Sequence, residues 1–134
     1  MADRRQVLSA GLAGALLPVG ALASAARAGQ PPAIHRAVYD RRFAAGRAFA
    51  AQARARGWAT SAIEGDVTAL WYDDLALRWR QGPATIAGVT AANSLFVLER
   101  LAWDAGMRVV SRSELEREPV LAWLIAPAAR GVRA

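Results

Sequence analysis

The chain contains no cysteine and no lysine, and its only histidine is His35. Without cysteine it cannot form a disulfide, a thiolate metal site, an iron–sulfur cluster, a covalently attached c-type haem or a cysteine nucleophile. A single histidine also excludes any site that needs two imidazoles. Because the commonest metal and redox cofactors are held by these residues, we expect no cofactor and no metal site.

The 17 basic residues are all arginine, and with 11 acidic residues they give a formal net charge of +6. A strong positive charge is a feature of nucleic-acid-binding proteins, but these arginines are not interleaved with aromatic residues. We therefore expect no nucleic-acid partner, and the charge instead favours contact with anionic lipid headgroups or with an acidic protein. With 134 residues, of which 54% are hydrophobic, the chain fits one folded domain.

Residues 1–28 have the pattern of an export signal. Two adjacent arginines, Arg4 and Arg5, precede an apolar run that starts with Val7 and Leu8 and ends in small residues of the A-x-A type. The segment resembles a twin-arginine export signal, since Arg4 and Arg5 match its paired arginines and Val7 and Leu8 match the apolar positions that follow.

The resemblance implies that the chain is a partner of the twin-arginine export machinery and is periplasmic or otherwise extracytoplasmic. Proteins that use this route are exported already folded, often with a cofactor or with a bound partner subunit. An ordinary secretory signal and an uncleaved N-terminal anchor are the alternatives, and an anchor would keep the protein at the membrane. A transmembrane helix fits less well, because Pro18 interrupts the apolar run.

Residues 29–134 are expected to form one small domain in which strands and helices alternate. Strands are predicted at 33–39, 58–63 and 107–111, with 84–87 as a strand or a loop and 120–126 as a strand or a short helix; helices are predicted at 41–56, 67–81 and 91–104. This order predicts an α/β fold with a small, mainly parallel sheet and three helices. An all-α fold is the alternative, because alanine, the commonest residue, favours helix.

The predicted helices carry recognisable start and stop residues. Asp40, Asp66 and Thr90 are the predicted caps, and Gly57 and Gly106 are the predicted stop signals of the first and third helices. Residues 88–90 would open the third helix, where free backbone N–H groups could bind an anion.

The second predicted helix has one broad apolar face. The residues on this face are Thr68, Trp71, Tyr72, Leu75 and Trp79. Asp74 and Arg78 are four residues apart with the acid first, and they are predicted to form a surface ion pair.

The third predicted helix is apolar on two sides. Leu95, Leu98 and Leu101 share one side, whereas Phe96 and Trp103 form a second ridge about 100° or more away. A helix of this kind has to bury both sides. The second ridge is therefore either covered by the neighbouring tryptophan-rich helix or used as an interface with a partner.

Four carboxylates lie close together after the second predicted strand: Glu64, Asp66, Asp73 and Asp74. Ligands of open α/β sheets bind beyond the carboxyl ends of the strands, where Glu64 and Asp66 are expected. Two carboxylates there could divide acid and base roles or hold a divalent cation. Alternatively, Asp66 is a helix cap and the others are surface charges. His35 is a further catalytic candidate, because imidazole exchanges protons near neutral pH.

These observations favour an exported accessory protein or small subunit that binds a larger exported protein, with Phe96 and Trp103 at the interface. An enzyme is less expected, because the sequence has no P-loop, no G-x-G-x-x-G and no G-x-S-x-G motif. The alternative is a small stand-alone enzyme or ligand-binding protein with an acidic site near Glu64 and Asp66.

Overall fold

The computed structural model describes residues 33–128. It contains strands β1 (Ile34–Asp40), β2 (Thr60–Ile63), β3 (Thr85–Thr90), β4 (Met107–Glu114) and β5 (Leu121–Pro127), and helices α1 (Ala44–Ala55), α2 (Thr68–Leu70), α3 (Ala76–Arg80) and α4 (Ala92–Asp104). A π-helical turn (Trp71–Leu75) joins α2 to α3 without a break, so these pieces form one helical segment. The α/β prediction is confirmed, and the all-α alternative is wrong.

The five strands form one sheet in the order β2-β1-β3-β5-β4. Strand β1 pairs in parallel with β2 and β3, whereas β5 pairs antiparallel with β3 and β4. The sheet is therefore mixed, and the prediction of a mainly parallel sheet is wrong in this respect. The reason is the short, helix-free connection between β4 and β5, which can only return the chain as an antiparallel neighbour.

Helices cover both faces of the sheet and bury two separate clusters of side chains. One face packs against α1 through Phe49 and Ala53. The other packs against α4 and the helical segment that contains Leu75 and Trp79. Trp123, in β5, is fully buried on this second face. The result is a three-layer arrangement of helix, sheet and helix.

Strand β3 confirms the strand alternative for residues 84–87 and continues through residues 88–90, which were predicted to open the third helix. All six of its residues are buried, as expected for a strand covered on both faces. Gly88 belongs to this strand, and a Cβ there would overlap the ring of Trp123. Thr90 does not cap α4; its hydroxyl accepts a hydrogen bond from Trp123 Nε1 at 3.0 Å. The predicted anion site at 88–90 is wrong, because these residues lie in a buried strand.

The observed helix caps agree only in part with the predicted ones. Asp66 accepts a hydrogen bond at 2.8 Å from the N–H of Thr68, the first residue of α2, so it caps the helix through its side chain although Val67 occupies the cap position itself. Asp40 does not cap α1. Instead, the carboxylate of Glu118, in the β4–β5 connection, accepts the N–H groups of Ala44 and Ala45 at 3.0 and 2.8 Å. Gly57 and Gly106, at φ +82 and +78°, follow α1 and α4 as predicted.

The π-helical turn changes which side chains of the second helical segment are buried. Leu70, Leu75 and Trp79 are buried, but Thr68 is exposed and Tyr72 is 74% exposed, so the predicted apolar face is wrong at these two positions. Leu70 and Leu75 are five residues apart, which matches the i→i+5 pattern of a π turn and not the period of an α-helix.

The predicted export signal, with Arg4 and Arg5, lies outside the described residues. Between residues 33 and 128 the longest helix is α4, with 13 residues, and no helix in that range is long and apolar enough to span a bilayer.

Candidate functional sites

The carboxylates Glu64 and Asp66 lie at the carboxyl end of β2, as predicted, and both line a shallow hollow of about 510 Å³. Glu64 forms an exposed ion pair with Arg41. Asp66 is also exposed, and its hydrogen bond with Thr68 lowers its pKa from the usual 3.8. Asp66 is thus a charged helix cap at neutral pH, and Glu64 is neutralised by Arg41.

Asp40, at the carboxyl end of β1, is a fully buried carboxylate, whereas its sequence pattern predicts only a helix cap. Arg42 donates from Nε to Oδ1 at 2.9 Å and from Nη2 to Oδ2 at 2.7 Å. Burial raises the pKa of Asp40, but these bonds and the Arg42 backbone N–H outweigh it, so the pKa lies below its usual value. The sequence signal that could have revealed this pair is that Asp40 and Arg42 are only two residues apart, within a turn.

His35 and Arg36, near the start of β1, meet Asp74 from the π turn. His35 Nε2 lies 2.8 Å from Asp74 Oδ2, and Arg36 Nη2 lies 3.1 Å from Asp74 Oδ1. The predicted ion pair between Asp74 and Arg78 is wrong, since Arg78 donates instead to the carbonyl of Gly82 at 3.4 Å.

Two local irregularities bring this cluster together. The register between β1 and β3 shifts between Ile34 and Arg36, so His35 is an extra residue in the strand. In a regular strand His35 and Arg36 would point to opposite faces, but the bulge lets both reach Asp74. The π turn supplies Asp74 from the facing helical segment, and both irregularities often occur at functional sites.

The electrostatics of this cluster fix its hydrogen bonds. Burial raises the pKa of Asp74, but the hydrogen bonds from His35 and Arg36 lower it further, and the net pKa is below 3.8. Asp74 is therefore an ionised acceptor at neutral pH, so the proton of this hydrogen bond is on Nε2 of His35.

The structure does not bring the predicted catalytic candidates into one site; these are Glu64, Asp66, Asp73 and His35. Asp73 lines a second hollow of about 330 Å³ together with Asp74, beside the hollow of Glu64 and Asp66. His35 contacts Asp74 and lines neither hollow. Within the described part of the chain, no three acidic or histidine side chains are grouped as metal ligands.

The second ridge of α4 is exposed. Phe96 is 59% exposed and Trp103 42%. The guanidinium of Arg100 lies 5.8 Å from the ring centre of Phe96 and 4.4 Å from that of Trp103, and Arg108 of β4 lies 5.7 Å from Trp103. We call Phe96, Arg100, Trp103 and Arg108 the α4 surface.

The tryptophan-rich helical segment does not cover the α4 surface. Trp71 and Trp79 pack edge to face on each other, with ring centres 6.1 Å apart. Trp79 also donates from its indole N–H to the carbonyl of Ala84 at 3.0 Å. Of the two interpretations of the second ridge, coverage by this segment is therefore wrong.

Comparison of the chain with protein-family models, with curated proteins and with solved structures gives no match.

Proposed function

We propose that the protein is an exported accessory protein that binds a larger exported protein through the α4 surface. The observation that carries the proposal is the exposure of two aromatic side chains, Phe96 and Trp103, which both contact the guanidinium of Arg100. Tryptophan and arginine are the residues that most often dominate the binding energy of protein interfaces. Export is supported by the resemblance of residues 1–28 to a twin-arginine signal.

The charges of the α4 surface favour an acidic partner. Among residues 33–128, no carboxylate forms an ion pair with Arg100 or Arg108. Both guanidiniums lie over the ring of Trp103, and Arg108 also donates from Nη1 to the carbonyl of Met107 at 2.9 Å, so both cations are held at the surface beside the ring. A partner that presents an apolar side chain surrounded by carboxylates would pack on the aromatic rings and form ion pairs with the guanidiniums.

The alternative function, an enzyme or ligand-binding protein using Glu64 and Asp66, has less support. Glu64 is paired with Arg41, and Asp66 is occupied as a helix cap. Both carboxylates are exposed, whereas a carboxyl group that acts as a general acid near neutral pH is typically held in an apolar pocket.

The test uses substitutions on the exposed ridge with a matched control elsewhere. Trp103→Asp and Phe96→Asp place a carboxylate in the interface, where we expect loss of the complex without loss of stability. Tyr72→Asp makes a similar change at a position that is 74% exposed on another helical segment, and it should retain the partner. The measurement is affinity purification of the tagged full chain from the periplasmic fraction, with intact masses of the retained proteins.

Three outcomes would contradict the proposal. The first is a Trp103→Asp variant that keeps a stoichiometric partner, and the second is a wild-type chain that is recovered alone as a monomer. The third is binding to anionic phospholipid vesicles with no protein retained, which would identify the α4 surface as a lipid-binding surface.

A further inference from the structure

Strand β2 ends the sheet and leaves part of its backbone without a partner. The N–H of Ala37 donates to the carbonyl of Ala59 at 2.8 Å, and the N–H of Arg41 donates to the carbonyl of Ile63 at 2.9 Å. The backbone carbonyls of the odd-numbered residues of β2 thus face β1. Because backbone groups alternate in direction along a strand, the N–H and carbonyl groups of Thr60 and Ala62 face away from β1. In the sheet formed by residues 33–128, no strand pairs with this outer edge.

Open space lies along this free edge. The hollows of about 330 and 510 Å³ adjoin each other, because Ala62 and Ala69 line both. Their small side chains leave room for the backbone of an additional strand between β2 and the start of the helical segment. An exposed strand edge with space beside it is the geometry in which extended peptides add to a sheet.

The side chains that line the hollows carry an excess of negative charge. Four are carboxylates and two are guanidiniums. Arg41 neutralises Glu64 and Arg36 pairs with Asp74, which leaves Asp66 and Asp73 in excess. This is contrary to the balance of residues 33–128 as a whole, which include 12 arginines and 10 acidic residues.

We propose that the free edge of β2 binds an extended segment of another protein that carries basic side chains, as a sixth strand of the sheet. Backbone hydrogen bonds to Thr60 and Ala62 would give affinity, and Asp73 and Asp66 would select basic side chains. A second copy of the chain fits less well, because a β2–β2 contact would bring the excess carboxylates of both copies together. This site lies at the edge of the sheet opposite β4 and is independent of the α4 surface.

The probe for the test is the capped peptide Val-Arg-Val-Arg-Val-Arg, and the matched control is Val-Glu-Val-Glu-Val-Glu. With the full chain, the basic peptide at saturation should slow hydrogen exchange of the Ala62 amide by about tenfold or more, because that amide gains a hydrogen bond. The acidic peptide should leave it unchanged. Nuclear magnetic resonance of the labelled protein measures both.

Two variants separate strand addition from other binding. Ala62→Pro removes the outward N–H without removing a hydrogen bond to β1, so it should retain the melting temperature and lose the peptide. Asp73→Asn retains the backbone edge and should weaken binding of the basic peptide several-fold. If Ala62→Pro does not fold, Asp73→Asn and the exchange of the Ala62 amide still decide the question.

Several results would overturn the proposal. One is equal binding of the basic and acidic peptides, and another is undiminished binding by a folded Ala62→Pro variant. An Ala62 amide that is already protected without peptide would show that the chain itself occupies the edge. Protection that increases with protein concentration would assign the edge to a second copy.

Discussion

At the residue scale, the Asp40–Arg42 pair shows how a fully buried carboxylate is kept ionised. The loop that follows β1 is short enough for Arg42 to fold back and donate two side-chain hydrogen bonds to its neighbour. Bidentate, charge-assisted hydrogen bonds of this kind offset the loss of hydration that burial imposes on the carboxylate.

Removal of Arg42 should therefore reverse the direction of the Asp40 pKa shift. In Arg42→Ala the carboxylate loses both side-chain bonds, so burial, which is already the largest single influence, is no longer outweighed and the pKa should move above 3.8. The free energy of unfolding should also fall, since the carboxylate left behind is buried. Carboxyl chemical shifts against pH and urea unfolding measure the two effects. Arg80→Ala, an exposed helix position, is the control; an Asp40 pKa still below 3.8 in Arg42→Ala would contradict the assignment.

Asp74 should contribute stability that depends on pH. Its pKa is lower in the folded chain than the usual 3.8, so its contribution is complete above that value and is lost as the pH falls through the folded-state pKa. Asp74→Asn should therefore unfold more easily than the wild type by about 1 kcal/mol at pH 7, and the difference should shrink at pH 3. Urea unfolding at both pH values tests this, with the exposed Asp73→Asn as the control. An equal difference at both pH values would show that the ionised carboxylate is not responsible.

At the element scale, the start of α1 depends on a residue far along the chain. Glu118 lies 74 residues from Ala44 and closes the amino end of the helix with both carboxylate oxygens. A negative charge at this position also interacts favourably with the helix dipole.

Loss of this cap should destabilise the fold moderately. We expect Glu118→Ala to lower the free energy of unfolding by about 1 kcal/mol, in the range of other helix caps. The neighbouring exposed Glu116→Ala should change it little. Chemical denaturation of the two variants is the measurement, and equal stabilities would show that Glu118 does not cap α1.

Elements with local signals could be predicted, whereas those set by distant contacts could not. The end of α4 at Gly106 and the cap at Asp66 follow from neighbouring residues. Strand β3 could be predicted only in part. A short strand at 84–87 is one of two alternatives from the sequence, but Gly88 and Thr90 are typical of turns, and only the close contacts of Gly88 with Trp123 and with the Val38 backbone explain its place in the strand. The spacing of hydrophobic residues in the sequence also gives no sign of the π turn or of the bulge at His35. The cluster of His35, Arg36 and Asp74 therefore could not be predicted.

At the scale of the whole molecule, the α/β class followed from the alternation of elements, but the mixed sheet did not. The direction of β5 is set by the lack of a helix between β4 and β5, a connection whose sequence shows only charged residues and Pro119. The consequence is a sheet with two different edges. Strand β2 is short and lies beside the acidic hollows, whereas β4 lies beside the arginines of the α4 surface.

Cross-linking in the cell would show whether the α4 surface binds another exported protein. A photoreactive phenylalanine analogue at position 103 of the full chain should form an adduct with one larger exported protein. The same analogue at position 72, which is also exposed on a helical segment, should not. No adduct from position 103, or the same adduct from both positions, would contradict the account.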